Sequence, residues 1–116
     1  MKEYYKHLSE PWFTLIKLGI KTCEGRLNKG DFSNMNKGDV IYFNNDDFGF
    51  NRVICCRITS IRYYDTFEAY LRGESLHNCL PGVDTLEEGV NTYYKYYSPK
   101  QEETYKIVAI RLKIKD

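Results

Sequence analysis

The chain has 116 residues, with 17 Lys and Arg against 16 Asp and Glu and a formal charge of +1, a balance that excludes a uniformly basic nucleic-acid clamp and an acidic solvating tail. At this length a single domain over residues 1–116 is expected, with one core that needs no disulfide to hold it. Aromatic residues make up 16% and eleven of them are Tyr, whose hydroxyls must meet a partner or water, so a wet aromatic surface or cleft is expected.

Taken in chain order, Tyr4 to His7 has the composition of an additional strand. Ser9-Glu10-Pro11 places a cap and an early proline before Trp12, Phe13, Leu15 and Ile16, and Gly19 stops the segment, which predicts a short helix. Lys21 to Leu27 is too charged for a buried helix and predicts a strand at a cleft wall, followed by a polar loop from Asn28 to Asn36. Lys37-Gly38-Asp39 is a turn into a Val40-Ile41-Tyr42-Phe43 strand, and Asn44 to Asp47 is a hairpin turn. From Asn51 to Arg62 the alternation is imperfect, as a strand with a bulge or barrel bend would show. Asp65 with Glu68 opens a helix through Phe67, Tyr70 and Leu71 that closes near Gly73. Leu80-Pro81-Gly82 breaks the chain, and Thr85 with Glu88 opens a helix carrying Leu86, Val90, Tyr93 and Tyr97 as a stripe. The final strand, Tyr105 to Ile114, sets Val108, Ile110, Leu112 and Ile114 on a buried side and Arg111, Lys113 and Lys115 on a basic, wet side. Non-sequential strands with a helical insertion predict an α+β fold, a small barrel of about five to six strands with helices packed against it.

No apolar run approaches the ~20 residues of a membrane helix, and Met1 to Tyr5 has no apolar signal core, so a soluble cytoplasmic protein is expected, or one of the host cytoplasm or nucleus for a viral source. Cys23, Cys55, Cys56 and Cys79 form no C-x-x-C pair and read as reduced thiols, with Cys55 and Cys56 on opposite faces of their strand. Cys79, His77 and His7 lack the spacing of zinc ligands, and no metal or organic cofactor is expected.

The densest chemistry lies in Gly19-Ile20-Lys21-Thr22-Cys23-Glu24-Gly25-Arg26. On a regular strand Thr22, Glu24 and Arg26 share a face and Lys21 points away unless the strand begins with a bend. Arg26 offers a planar fork to a phosphate or base edge, Lys21 a point charge, and Glu24 an acceptor that orients either. The same residue types also suit a solvated strand with an internal ion pair.

Glu10-Pro11-Trp12-Phe13 followed by G-x-K-x-x-E-x-R at Gly19, Lys21, Glu24 and Arg26 resembles the signature of the ASCH domain family, within the PUA-like superfamily. The resemblance continues through Lys37 to Ile41, the Phe67 to Leu71 helix, Leu80 to Gly82, Leu86 to Val90 and the Ile107 to Ile110 strand. It implies a PUA-like β-barrel with a cleft between barrel and helices, lined by the motif. It also implies a partner in RNA, single-stranded nucleic acid or a nucleotide, with Lys21, Thr22, Glu24 and Arg26 as contacts and Trp12, Tyr93 and Tyr97 as stacking candidates that equally suit a core. A subgroup of the family resembles amidohydrolases of acylated cytidine nucleosides, and others are proposed ribonucleases. Lys21 matches the amidohydrolase lysine, but Glu24 stands where the threonine nucleophile would be and Gly82 near the catalytic glutamate, leaving Lys21 and Glu24 as the acid and base if the chain is an enzyme.

Overall fold

The computed structural model describes residues 1–115. Its strands are β1 (Glu3–His7), β2 (Cys23–Leu27), β3 (Val40–Asn45), β4 (Arg52–Tyr64) and β5 (Ile107–Ile114). Its helices are α1 (Trp12–Lys17), α2 (Phe67–Glu74), α3 (Leu76–Cys79), α4 (Leu86–Tyr94) and α5 (Pro99–Tyr105), with a 3₁₀ turn at Gly30–Ser33. The strands form one sheet in the order β1-β3-β4-β5-β2, parallel only between β1 and β3. The long strand β4 pairs with both β3 and β5, and its register with β5 slips between Ile58 and Ser60. That irregularity is the expected bulge, and it bends the sheet into a half-barrel. The α+β arrangement is therefore the one the sequence predicts, with five strands among the described residues.

Two cores lie on the two faces of the sheet. Inside the curve, α1 sets Phe13 and Ile16 against Ile41, Phe43, Ile58, Val108 and Ile110. On the other face α2, α3 and α4 cover Cys23, Leu27, Ile107 and Ala109 with Phe67, Tyr70, Leu71 and Tyr93. Sandwiched in this way, β5 is buried on both sides from Ile107 to Ile110, and only from Arg111 onward is one side wet. The basic face predicted for the strand is confined to that second half.

Local signals differ from expectation in four places. Ser9 does not cap α1; the Glu10 carboxylate accepts from Thr14 N at 2.9 Å instead. Thr66, one residue past Asp65, caps α2 by accepting from Ala69 N, because its extended backbone aims the hydroxyl at the first turn. Thr85 caps α4 as predicted, but the helix ends at Tyr94 and Tyr97 lies beyond it. α5 occupies a stretch to which the sequence pattern assigns no element, opened by a Ser98 and Gln101 capping box with Pro99 at the first turn. No helix of the described residues is long and apolar enough to cross a membrane.

Candidate functional site

α1 ends at Lys17 with Leu18 as its cap, and Gly19 turns the chain with φ +76°, a left-handed conformation that costs glycine little. Ile20 N and Lys21 N both donate to Leu15 O, so Lys21 and Thr22 form a bend before β2. The bend sends their side chains apart. Lys21 turns inward and is 2% exposed. Thr22 lines a second depression with Lys17, Leu18 and Lys113, which Lys21 also borders, and is not among the residues lining the cleft. Its expected sharing of a face with Glu24 and Arg26 fails because the strand starts only at Cys23.

Lys21 is also not free to receive a ligand as the sequence reading supposed. Its Nζ donates to Cys23 O at 2.6 Å and to Cys79 O, and lies 3.4 Å from Glu24 Oε1 and 5.6 Å from the Trp12 ring centre. Two backbone hydrogen bonds and the ion pair with Glu24 hold the ammonium inside the fold. Glu24 passes the charge on, since its Oε2 accepts from Arg26 Nε at 3.3 Å and from Nη2 at 3.2 Å. Burial alone would raise the Glu24 carboxyl pKa, but the Lys21 and Arg26 cations outweigh it and hold the group below its ordinary value. Burial works in the opposite sense on Arg26, and the Glu24 charge overcomes it to raise the guanidinium pKa. Two cations and one anion leave the triad one positive charge, carried outward by the partly exposed Arg26, which also lies 4.9 Å over the Phe32 ring.

Above this triad opens a cleft of about 320 Å³ walled by Trp12, Leu80, Tyr93, Tyr96 and Tyr97. Tyr93 is mainly core: it stacks on Phe67 with ring centres 4.8 Å apart, and its hydroxyl shares a 2.8 Å hydrogen bond with that of Tyr70. Tyr97 continues the stack on Phe67 at 5.7 Å but keeps part of its surface open to the cleft. Tyr96, which sequence reading did not single out, is 63% exposed at the rim. Its position follows from α4 ending at Tyr94, which turns the next residues out of the helical stripe.

The four cysteines are free thiols, Cys55 half-buried and Cys56 in the core, as the strand alternation predicts. His77 and Cys79 do not gather with His7. Among the described residues the cluster with metal-ligand spacing is the exposed His7, Asp46 and Asp47, and the Asp47 carboxylate already accepts from Asn45 Nδ2 and Glu10 N.

A half-barrel sheet with a motif-lined cleft against its helices defines a class of small PUA-like domains. The ASCH domain model matches residues 7–115, and the chain belongs to that family. Among solved structures it is similar to the hypothetical protein PH0355, with 34% identity, a TM-score of 0.87, and coverage of 97% of this chain and 99% of the other. It is also similar to protein PF0455 from Pyrococcus furiosus, with 37% identity, a TM-score of 0.77 and coverage of 97% and 96%. A mutant ASCH protein from Zymomonas mobilis shares the fold at 17% identity and a TM-score of 0.69, over 97% of this chain and 68% of its own. Among curated proteins none matches.

Proposed function

We propose that the cleft binds one unpaired base or nucleotide of RNA or another single-stranded nucleic acid. The observation that carries this reading is the Glu24 and Arg26 pair held at the cleft floor beneath Trp12, Tyr96 and Tyr97. Arg26 spends Nε and one Nη2 hydrogen on Glu24, so three of a guanidinium's five N–H groups remain for a phosphate or a base carbonyl. Beside them the ionised Glu24 can accept from a base amino or ring N–H. Such an acceptor and donor pair matches a base edge, and the aromatic walls supply a stacking face. The volume lies near the lower end of small-ligand sites, roughly 300 to 1,000 Å³, which suits a nucleotide rather than a duplex.

Lys21 in this reading is a positioning residue that fixes Glu24, not a phosphate contact. The same geometry favours binding over acid and base chemistry. A general base works best with a pKa near the operating pH, whereas Glu24 is pushed the other way and the Lys21 ammonium is tied to two carbonyls and the Glu24 carboxylate.

Calorimetry or anisotropy with mononucleotides and single-stranded RNA tests the proposal. Arg26→Ala should weaken binding about 10- to 100-fold, the size of a lost charge-assisted hydrogen bond of roughly 1.5–3 kcal/mol, and Tyr97→Ala should weaken it through lost stacking. Labelled RNA and acetylated cytidine should survive incubation intact. Absence of wild-type binding to any of these ligands, or binding indifferent to Arg26→Ala, overturns the reading; turnover abolished by Lys21→Ala replaces it with an enzyme.

A further inference from the structure

The basic half of β5 is not part of the cleft. Arg111 and Lys113 point to the face of the sheet opposite Ile110 and Leu112, whereas Glu24 and Arg26 stand opposite Ile110 and Val108 and so share the inner face. Across the ladder Arg57 of β4 lies directly opposite Lys113, both exposed. Like charges at a directly opposed pair repel and destabilise a sheet. Among the described residues neither makes an ion pair. Two registers along, Ser60 opposes Arg111 and Arg62 opposes Ala109, extending the cations on the same face. One buried carboxylate, Glu74, answers this group by accepting from Arg111 Nε at 2.6 Å. Glu3 stands in the same row, paired through Val40 to Arg57, and its carboxylate accepts from the Tyr42 hydroxyl at 2.8 Å, so four cations against two anions leave two positive charges on one patch of a chain whose total is +1.

The patch continues into aromatic surface. Tyr42 of β3 pairs with Cys55, one pleat from Arg57, and Tyr5 of β1 pairs with Tyr42. The two tyrosine rings stack with centres 5.0 Å apart and planes 11° from parallel, and Tyr5 is 70% exposed. From Tyr5 to Lys113 the stripe crosses three strand intervals, roughly 14 Å at about 4.8 Å each.

We propose that this outer stripe is a second nucleic-acid contact, in which Arg57, Arg62, Arg111 and Lys113 hold the phosphates of a single strand and the Tyr5 and Tyr42 pair stacks one of its bases. Charge complementarity and an exposed aromatic pair beside it are what single-stranded binding surfaces combine. A phosphate between Arg57 and Lys113 would turn their repulsion into attraction. The proposal takes its ligand class from the cleft reading, but the two sites stand on different faces and fail separately.

The test compares a mononucleotide with a 20-residue single-stranded RNA on the wild type and on Arg57→Gln/Lys113→Gln, which spares Arg111 and its buried partner. Each phosphate contact to a single strand contributes about 0.7 to the slope of log K against log salt, so losing two should flatten the slope by about 1.4 and lower affinity for the 20-mer about 25-fold at 0.1 M salt. Mononucleotide affinity should not change, and the melting temperature should stay level or rise as the like-charge pair disappears. Tyr5→Ala should weaken the RNA but not inorganic polyphosphate. A 20-mer whose affinity and salt slope ignore the double substitution overturns the stripe, even if the mononucleotide still binds. Equal wild-type affinity for polyphosphate or phosphatidylserine vesicles, with no effect of Tyr5→Ala on RNA, also overturns it in favour of a general anion or membrane surface. Loss of mononucleotide binding alone, with the 20-mer still sensitive to the double substitution, rejects the cleft and keeps the stripe.

Discussion

Lys21 shows how a charged motif residue can be tied into the fold itself. Its ammonium ties two backbone carbonyls, from Cys23 and from Cys79 58 residues away, to the Glu24 carboxylate. Removing the cation leaves Glu24 buried with only Arg26 to balance it and two carbonyls facing each other. Breaking one side of a buried pair in this way costs about 3–5 kcal/mol, so Lys21→Met should lower unfolding stability by that order in urea titration. Adding Glu24→Gln removes the stranded charge and should recover part of the loss, a coupling that a double-mutant cycle reads directly. A Lys21→Met loss below about 1 kcal/mol would mean the ammonium holds nothing in place. The Glu24 and Arg26 pairing is legible in their spacing on one strand face, whereas Lys21 joins them only because the chain bends before β2 begins at Cys23. The Cys79 carbonyl was not legible, because it arrives through the packing of α3 on β2 and no spacing along the chain records it.

At the scale of elements, the helical layer presses on β2 where a side chain is missing. A Cβ at Gly25 would fall on the Tyr70 ring, 2.6 Å from its hydroxyl. Tyr70 is fully buried and its hydroxyl meets Tyr93, which lines the cleft. Gly25→Ala should therefore destabilise the domain by about 1–3 kcal/mol through overpacking and weaken mononucleotide binding as well, by shifting Tyr93. Near-wild-type values in urea unfolding and calorimetry would show that α2 can move away at little cost. The same layer marks the limit of pattern reading. α4 announces itself by its Thr85 cap and apolar stripe, and α2 by its apolar residues and a capping pattern at Asp65, one residue before the true cap. α5 was missed because its anchor is polar: the Glu102 carboxylate is buried and accepts from Phe67 N and from the Tyr94 hydroxyl, each at 2.7 Å. Hydrophobic periodicity cannot register a helix held by a carboxylate, although its Ser98 and Gln101 capping box stood in the sequence. The two-sided burial of β5 was hidden for a related reason, since alternation reports one wet face only where the strand has one.

For the whole molecule, near-neutral charge means that pH acts through particular buried groups rather than through general repulsion. Burial would raise the carboxyl pKa of Glu24 and Glu74, but Lys21 and Arg26 around the first, and Tyr64 and Arg111 around the second, draw both below the ordinary 4.5. Such carboxyls bind protons more weakly folded than unfolded, so their stabilisation is complete above about 4.5 and drains away as pH falls below it. On the alkaline side burial pushes the Tyr70 and Tyr93 hydroxyls well above 10 and the Cys56 thiol from 9 to about 12. These groups stay protonated in the fold after the unfolded chain has begun to release its protons, so stability falls as pH climbs past about 9 to 10. The urea midpoint should accordingly be level between roughly pH 5 and 9 and decline on both sides. Glu24→Gln should flatten the acid limb and Tyr70→Phe the alkaline one, each leaving the opposite limb as it was. A midpoint that climbs steadily across that interval, or an acid limb indifferent to Glu24→Gln, would show that the triad does not govern the acid response.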